Sequence, residues 1–273
     1  MEIIDIFTNT KLDQHFINKS GFREKRFLQL ITGNLYGIVF NGSPLFSGGA
    51  GSGPSDIRKW IIDNDMLEAI IAMPDQLFYN TGISTYVWIV SDRKSKERKG
   101  KVQLINATGS DKEDKDNPFY SKMLRSLGNK RKEIHEHAIK QITEVYHEFK
   151  PSEYCKIFDN EDFGYSRITV ERPKRNAKGQ IEKDKKGNPT PDADLRDFEN
   201  VPLTENIESY FKREVKPHLP DAWIDHAKTK VGYEINFTKY FYKYKPLRSL
   251  ADIRKDILTL EEETEGIIKA VIE

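Results

Sequence analysis

Residues 36–92 read YGIVFNGSPLFSGGAGSGPSDIRKWIIDNDMLEAIIAMPDQLFYNTGISTYVWIVSD, and the fold is decided here. The apolar run 36–40 predicts a buried strand, since a short run closed by turn residues has the length of a strand rather than a helix. Residues 41–54 are turn chemistry. Ser55 is placed as the N-cap of a short helix, with Asp56 in its first turn and Ile57, Trp60 and Ile61 on one face. A second strand at 67–73 is stopped by Pro74, because proline cannot donate to a ladder. A third at 83–90 is rich in β-branched and aromatic residues. A fourth, 101–106, follows the charged turn 93–100. Strand, helix, strand in this order predicts an α/β fold, a βαβ unit with added antiparallel strands.

Composition limits what surrounds this stretch. The chain has 273 residues, 37% apolar and 32% charged, which suggests long solvated helices or a charged insertion. Its 44 Lys and Arg nearly balance 43 Asp and Glu, for a net charge of +1. The chain as a whole therefore does not attract DNA, and any nucleic-acid contact must come from a local patch or a basic partner. No run of eighteen apolar residues exists, so no membrane span is expected. The opening MEIIDIFTNTKLDQHF lacks the apolar segment of a signal peptide, and one cysteine, Cys155, suits a reducing cytoplasm as a small buried hydrophobe. His135 and His137 stand two apart in a predicted helix, face different ways, and are no metal pair.

Working outward, residues 1–35 form an atypical lead-in, with a helix end at Phe27, Leu28, Leu30 and Ile31 stopped by Gly33 and Asn34. Residues 130–149 predict an amphipathic helix through Ile134, Ala138, Ile142, Val145 and Phe149. Residues 164–170 fit an edge strand, and 205–215 another helix. Residues 172–194, almost without apolar content, read as a mobile linker or an extended hairpin. The cations there (Lys174, Arg175, Lys178, Lys183, Lys185, Lys186) are diluted by Glu182, Asp184, Asp192 and Asp194, which favours a solvated loop over a DNA contact. Ser249 caps a last helix in which Leu250, Ile253, Ile257, Leu260, Thr264, Ile267 and Val271 repeat at 3-4 spacing. That seam is read as a surface for a partner helix, the alternative being packing on the chain's own helices.

The turn Gly48-Gly49-Ala50-Gly51-Ser52-Gly53 follows a strand and precedes a helix, as a phosphate cradle would. No Gly-Lys-Ser/Thr follows, and the spacing is not G-x-G-x-x-G, so a flexible surface turn is the better reading. An unrelated nucleotide-binding enzyme built on this turn is the weakest functional reading.

Longer words are more specific. Asn41 to Phe46, the glycine turn with Ile57-Arg58, residues 67–74 and 78–90, Arg125-Ser126-Leu127-Gly128-Asn129-Lys130-Arg131, residues 157–165 and 230–237, and the terminal helix together resemble the modification subunit of type I restriction–modification systems, an adenine-N6 DNA methyltransferase. The resemblance covers roughly residues 35–273. It implies a Rossmann-like sheet that binds S-adenosylmethionine and a flipped adenine, through an F-x-G-x-G turn and a catalytic N-P-P-Y/F loop. Neither motif is in the sequence. The expected fold is thus the C-terminal portion of a Rossmann-like methyltransferase sheet, followed by a mainly helical region with a long C-terminal helix. Residues 36–107 would be the partial α/β domain, 108–248 a helical and extended region, and 249–273 the docking helix.

Under the resemblance no catalytic, cofactor-binding or metal residue is assigned, and S-adenosylmethionine is not expected to bind this chain alone. Phe78, with Tyr79 as runner-up, would stack on the extruded base, because stacking compensates for unstacking from the duplex. A hairpin-loop core residue is the equal alternative for Phe78. The terminal helix, through Leu250, Ile253, Ile257, Leu260, Ile267 and Val271, would hold the DNA-recognition (specificity) subunit. DNA would be met through that complex, and a separate N-terminal methyltransferase half is a further expected partner. The functional expectation is the C-terminal part of the methyltransferase subunit, inactive alone; the alternative is a non-enzymatic module that occupies the recognition subunit. Strand 36–40 would then present an open edge, so self-association or a covering partner is expected.

Overall fold

The computed structural model describes residues 35–109, 119–242, 244 and 247–272, with side chains of the last helix described to residue 264. The lead-in 1–34, with its expected helix end, lies outside the described residues. The chain divides into two units after Tyr240.

The first unit holds a five-stranded mixed sheet in the order β1-β3-β2-β4-β7, formed by β1 (Leu35–Asn41), β2 (Leu67–Met73), β3 (Thr85–Ser91), β4 (Lys101–Asn106) and β7 (Cys155–Asp159). β1 and β2 both run antiparallel to β3, and so run parallel to each other. The crossover between them carries α1 (Ser43–Phe46) and α2 (Gly53–Asp63). The predicted βαβ unit is therefore present, with β3 inserted between its two strands. Two expectations are corrected. β4 is parallel to β2 rather than antiparallel, because turn 92–100 carries the chain across to the far side of β2. β1 is half-buried, since among the described residues it is an edge strand with β3 as its one neighbour.

All seven residues of β2 are buried, as a strand covered on both faces requires. One face of the sheet, Ala69, Ile71, Met73, Val87, Ile89 and Ile105, packs under Ile142 and Tyr146 of α3 (Glu136–Glu148). Cys155 is buried in the same cluster. The helix predicted over 130–149 starts six residues late. Lys130–Glu133 is instead a strand, β6, paired with β5 (Ser121–Leu127) around Gly128 at φ +60°. His135 is then the N-cap residue in extended conformation rather than a helical one, and its ring stacks on that of His137 at 5.7 Å. The two imidazoles thus share a side, which corrects the expectation that they diverge.

A second sheet, ordered β10-β8-β9, is formed by β8 (Gly164–Glu171), β9 (Asp197–Pro202) and β10 (Trp223–Tyr233). Ile168, Val170 and Val201 of this sheet meet Phe211 and Val215, from the turn that continues α4 (Ile207–Tyr210). The strand expected at an edge, β8, is the central one, because β9 and β10 return from far along the sequence to flank it. The described part of 108–248 holds six strands, β5 to β10, and is not mainly helical: charged residues within those strands, as in Lys130–Glu133, hide the period-2 pattern.

Residues 172–194, read as a mobile linker or an extended hairpin, fold into a short arm of paired extended segments. Bridges Pro173–Pro191, Arg175–Ile181 and Lys183–Pro189 lay three extended segments side by side. Turns closed by Gly179 N–H to Asn176 C=O (2.9 Å) and Gly187 N–H to Asp184 C=O (3.0 Å) reverse the chain twice.

In the second unit, α6 (Leu250–Ile272) follows α5 (Phe237–Phe241), which spans the division. Ser249 Oγ accepts the Asp252 N–H at 3.1 Å and donates to its carboxylate at 2.7 Å, the predicted cap. Among the described residues no helix is long and apolar enough to cross a membrane.

Candidate functional site

Because β1, β2 and β4 run in one direction, the segments that leave their carboxyl ends emerge along one rim of the sheet, where ligands of open α/β sheets gather. The rim is defined by register. Asn41 and Met73 flank Thr85, and one step back Phe40, Tyr86, Ala72 and Asn106 lie in a row. Thr85 is buried, and its hydroxyl has no hydrogen-bond partner among the described residues.

The segment leaving β1 is held by a group that the sequence reading passed over. Arg58, 1% exposed, donates Nη1 to the carbonyls of Pro44 (2.8 Å) and Ser47 (3.2 Å), Nη2 to Gly48 (3.4 Å), and Nε to Tyr233. Burial lowers its pKa, with Tyr165 and Glu234 opposing. One guanidinium therefore fixes α1, the glycine turn, α2 and the end of β10. Tyr233 returns a hydrogen bond to Asp63 Oδ1 at 2.7 Å, and burial together with that carboxylate raises its pKa. The signal was the word Ile57-Arg58: an arginine one step from an apolar helix face is poised to be buried.

α2 begins at Gly53, not at the expected Ser55. Ser52 is the N-cap residue and Pro54 sits in the first turn, where its missing N–H costs nothing. Ser55 is fully buried within that turn. The glycine turn lies at the surface, with Gly48, Gly49, Gly51 and Gly53 exposed and Ala50 buried, and two cationic side chains lie close to it. A Cβ on Gly49 would lie 2.6 Å from the Arg167 guanidinium, and one on Gly51 would lie 2.7 Å from the Lys230 side chain. Gly48 and Gly51 have φ of +79° and +85°, conformations that glycine supplies without strain.

The segment leaving β2, residues 74–84, carries Phe78 and Tyr79. Phe78 is bridged to Thr81, which puts Tyr79 and Asn80 at the tip, and the two rings are 37% and 58% exposed. The Tyr79 carbonyl accepts the Asn129 N–H at 3.2 Å, and Lys130 lies 5.4 Å from the Tyr79 ring centre. The loop is therefore braced from one side by the β5–β6 ribbon.

Beneath the sheet lies a second unforeseen cluster. Arg98 pairs with Glu68 of β2 at 3.3 Å, with side chains 8% and 9% exposed, and donates to Gln103 Oε1 at 2.8 Å and to the Tyr146 carbonyl. Tyr146 donates to the same Glu68 oxygen at 2.6 Å, and burial, then Glu68, pushes its pKa up. A fully bonded buried cluster of this kind joins elements; here it ties β2, β4 and α3.

Beside the glycine turn lie the Arg167 and Lys230 side chains, and the acid that follows β2, Asp75, is paired with Lys132.

On α6, Leu250 (85% exposed), Ile257 and Leu260 are exposed, and Ile253 is at 39%. The side chains of Ile267 and Val271 lie outside the described residues. Among the described residues no group of three metal-ligating side chains forms.

Known proteins share parts of this sequence. The chain is 33% identical over 127 residues to the type I restriction enzyme MjaVIII methylase subunit of Methanocaldococcus jannaschii, a match over 46% of this chain and 20% of that protein. It is 44% identical over 72 residues to the MjaVII methylase subunit of the same organism, over 26% and 12% respectively. The chain thus spans about a fifth or less of the curated relatives it matches. A solved methyltransferase subunit of a type I restriction–modification system from Streptococcus thermophilus aligns with 48% of this chain and 24% of its own, at 20% identity and a TM-score of 0.38. The profile of N-6 DNA methylases matches residues 9–176, more than half the chain, so this chain belongs to the N-6 DNA methylase family.

Proposed function

We propose that this chain supplies the target-base side of an adenine-N6 DNA methyltransferase of a type I restriction–modification system, and that it docks the specificity subunit through α6. The observation that carries this is the rim on which the ends of β1, β2 and β4 converge, with the paired aromatics Phe78 and Tyr79 exposed on the β2 loop. An exposed ring on a braced loop is suited to stack on an extruded base, since stacking tolerates any base and offsets part of its unstacking cost. In this reading residues 36–107 are the partial α/β domain, 108–248 support it and 249–273 are the dock. The sequence has no Asn-Pro-Pro and no F-x-G-x-G, so the groups that polarise the adenine amino group and hold S-adenosylmethionine must come from another segment.

The test is transfer of a labelled methyl group from S-adenosylmethionine to unmethylated duplex in the presence of the specificity subunit. The chain alone should transfer none. Adding a segment that carries both missing motifs should start transfer, and Phe78→Ala should then slow it. Transfer by the chain without that segment would overturn the division of labour.

The exposed Leu250, Ile253, Ile257 and Leu260 on one helix favour a second reading, a non-enzymatic module that occupies the recognition subunit. Ile257→Asp with Leu260→Asp should abolish co-purification with that subunit, because a buried unpaired charge costs several kcal/mol. Full retention of the complex would remove α6 as the dock.

A further inference from the structure

The ribbon β5–β6 belongs to neither large sheet. It is fastened to the β2 loop by its backbone: besides the Asn129–Tyr79 bond, the N–H groups of Arg131 and Lys132 both donate to the Gln76 carbonyl, at 2.9 and 3.2 Å. Lys132 pairs with Asp75 and lies 4.5 Å from the Tyr120 ring centre. Gly128 lets the turn approach this closely, since a Cβ there would lie 3.1 Å from the Tyr79 carbonyl oxygen. The ribbon and the loop of Phe78 and Tyr79 are thus one body.

Charge is distributed unevenly on that body. Over residues 121–133 the chain has Lys122, Arg125, Lys130, Arg131 and Lys132 against the single acid Glu133, in a protein of net charge +1. Lys130 and Lys132 are spent on the loop. Lys122, Arg125 and Arg131 are exposed, and among the described residues their side chains have no ion pair. An open depression of about 410 Å³ runs between Gln76 and the Lys122 and Arg131 side chains. All three are presented to solvent on the ribbon that braces the loop of Phe78 and Tyr79.

We propose that this ribbon is a DNA-backbone clamp in which Lys122, Arg125 and Arg131 contact the phosphates beside the base presented to the Phe78–Tyr79 loop. The proposal rests on the target-base reading above and assigns that site its phosphate contacts. Arginine forks and lysine points suit phosphate oxygens, and such contacts fix register without reading sequence.

The test is fluorescence anisotropy of the full chain on labelled duplexes of different sequence, across a salt series. Lys122→Ala with Arg125→Ala and Arg131→Ala should weaken binding about equally on every sequence and lower the salt slope by about 1 for each phosphate no longer neutralised. Lys122→Arg with Arg125→Lys and Arg131→Lys should keep the slope, separating charge from any change in the ribbon's fold. Phe78→Ala should leave the slope unchanged. An alanine triple variant that binds like the parent, a charge-preserving variant that loses the slope, or a parent chain that does not bind duplex would each overturn the clamp. The slope change without methyl transfer in the complemented system would keep the clamp and remove the target-base reading; restored transfer with an unchanged slope would do the reverse.

Discussion

Replacing Arg58 by methionine tests how the rim is held together. Methionine keeps much of the side-chain volume, so the cavity contribution is small and the effect is electrostatic. The guanidinium donates to four backbone carbonyls, of which those of Pro44 (2.8 Å) and Tyr233 are the best made. A hydrogen bond from a charged donor contributes about 1.5–3 kcal/mol, and a buried carbonyl left without a partner costs about 1–3 kcal/mol. Against this stands the burial of the charge, the same effect that lowers the Arg58 pKa, which the substitution relieves. The net destabilisation should be about 3–4 kcal/mol, from two well-made carbonyls left without a donor, less the relieved cost of burying the charge. With a urea slope of about 2–3 kcal/mol per M, the midpoint should fall by roughly 1–2 M. Arg58→Lys should recover less than half, because an ammonium cannot span carbonyls on three sides of a planar fork. The assay is urea unfolding followed by far-ultraviolet circular dichroism and by tryptophan fluorescence. An Arg58→Met chain within about 1 kcal/mol of the parent would refute the claim that this arginine, rather than the apolar packing around it, joins the turn to β10.

Other outcomes follow from the same geometry. Glu68→Leu strands Arg98 without its carboxylate and Tyr146 without its acceptor, and should cost about 3–5 kcal/mol in thermal or urea unfolding. Asp65 is coupled to pH: burial alone would raise its pKa, but the bonds from Lys94 (2.6 Å), Gly100 N–H (2.9 Å) and Asn160 (3.0 Å) outweigh it and hold the pKa below the ordinary carboxylate value. A depressed folded pKa contributes stability above the unfolded value and loses it as pH falls through the folded one. Asp65→Asn should therefore destabilise the chain at neutral pH, with the gap from the parent closing as both are acidified below the carboxylate range. A gap that stays constant down to that range would mean that Asp65 acts through shape and not charge.

Elements whose reasons are local are legible from the residues alone. Residues 67–73 are almost wholly apolar, as a strand covered on both faces requires, and Pro74 ends them. Ser249 and Asp252 three apart set the start of the last helix whatever surrounds it. The long words that mark the family were legible for the same reason, being contiguous. Tertiary structure alone decided the rest. The central place of β8 depends on strands about thirty and sixty residues downstream. The strand at 130–133 overrode a helical pattern because Gly128 turns the chain back and the Gln76 carbonyl receives two of its N–H groups. Arg58 and Glu68 read as ordinary charges in sequence, since their partners lie up to 175 residues away. A buried charge is recognisable only when its acceptors are in place, and only folding brings them there.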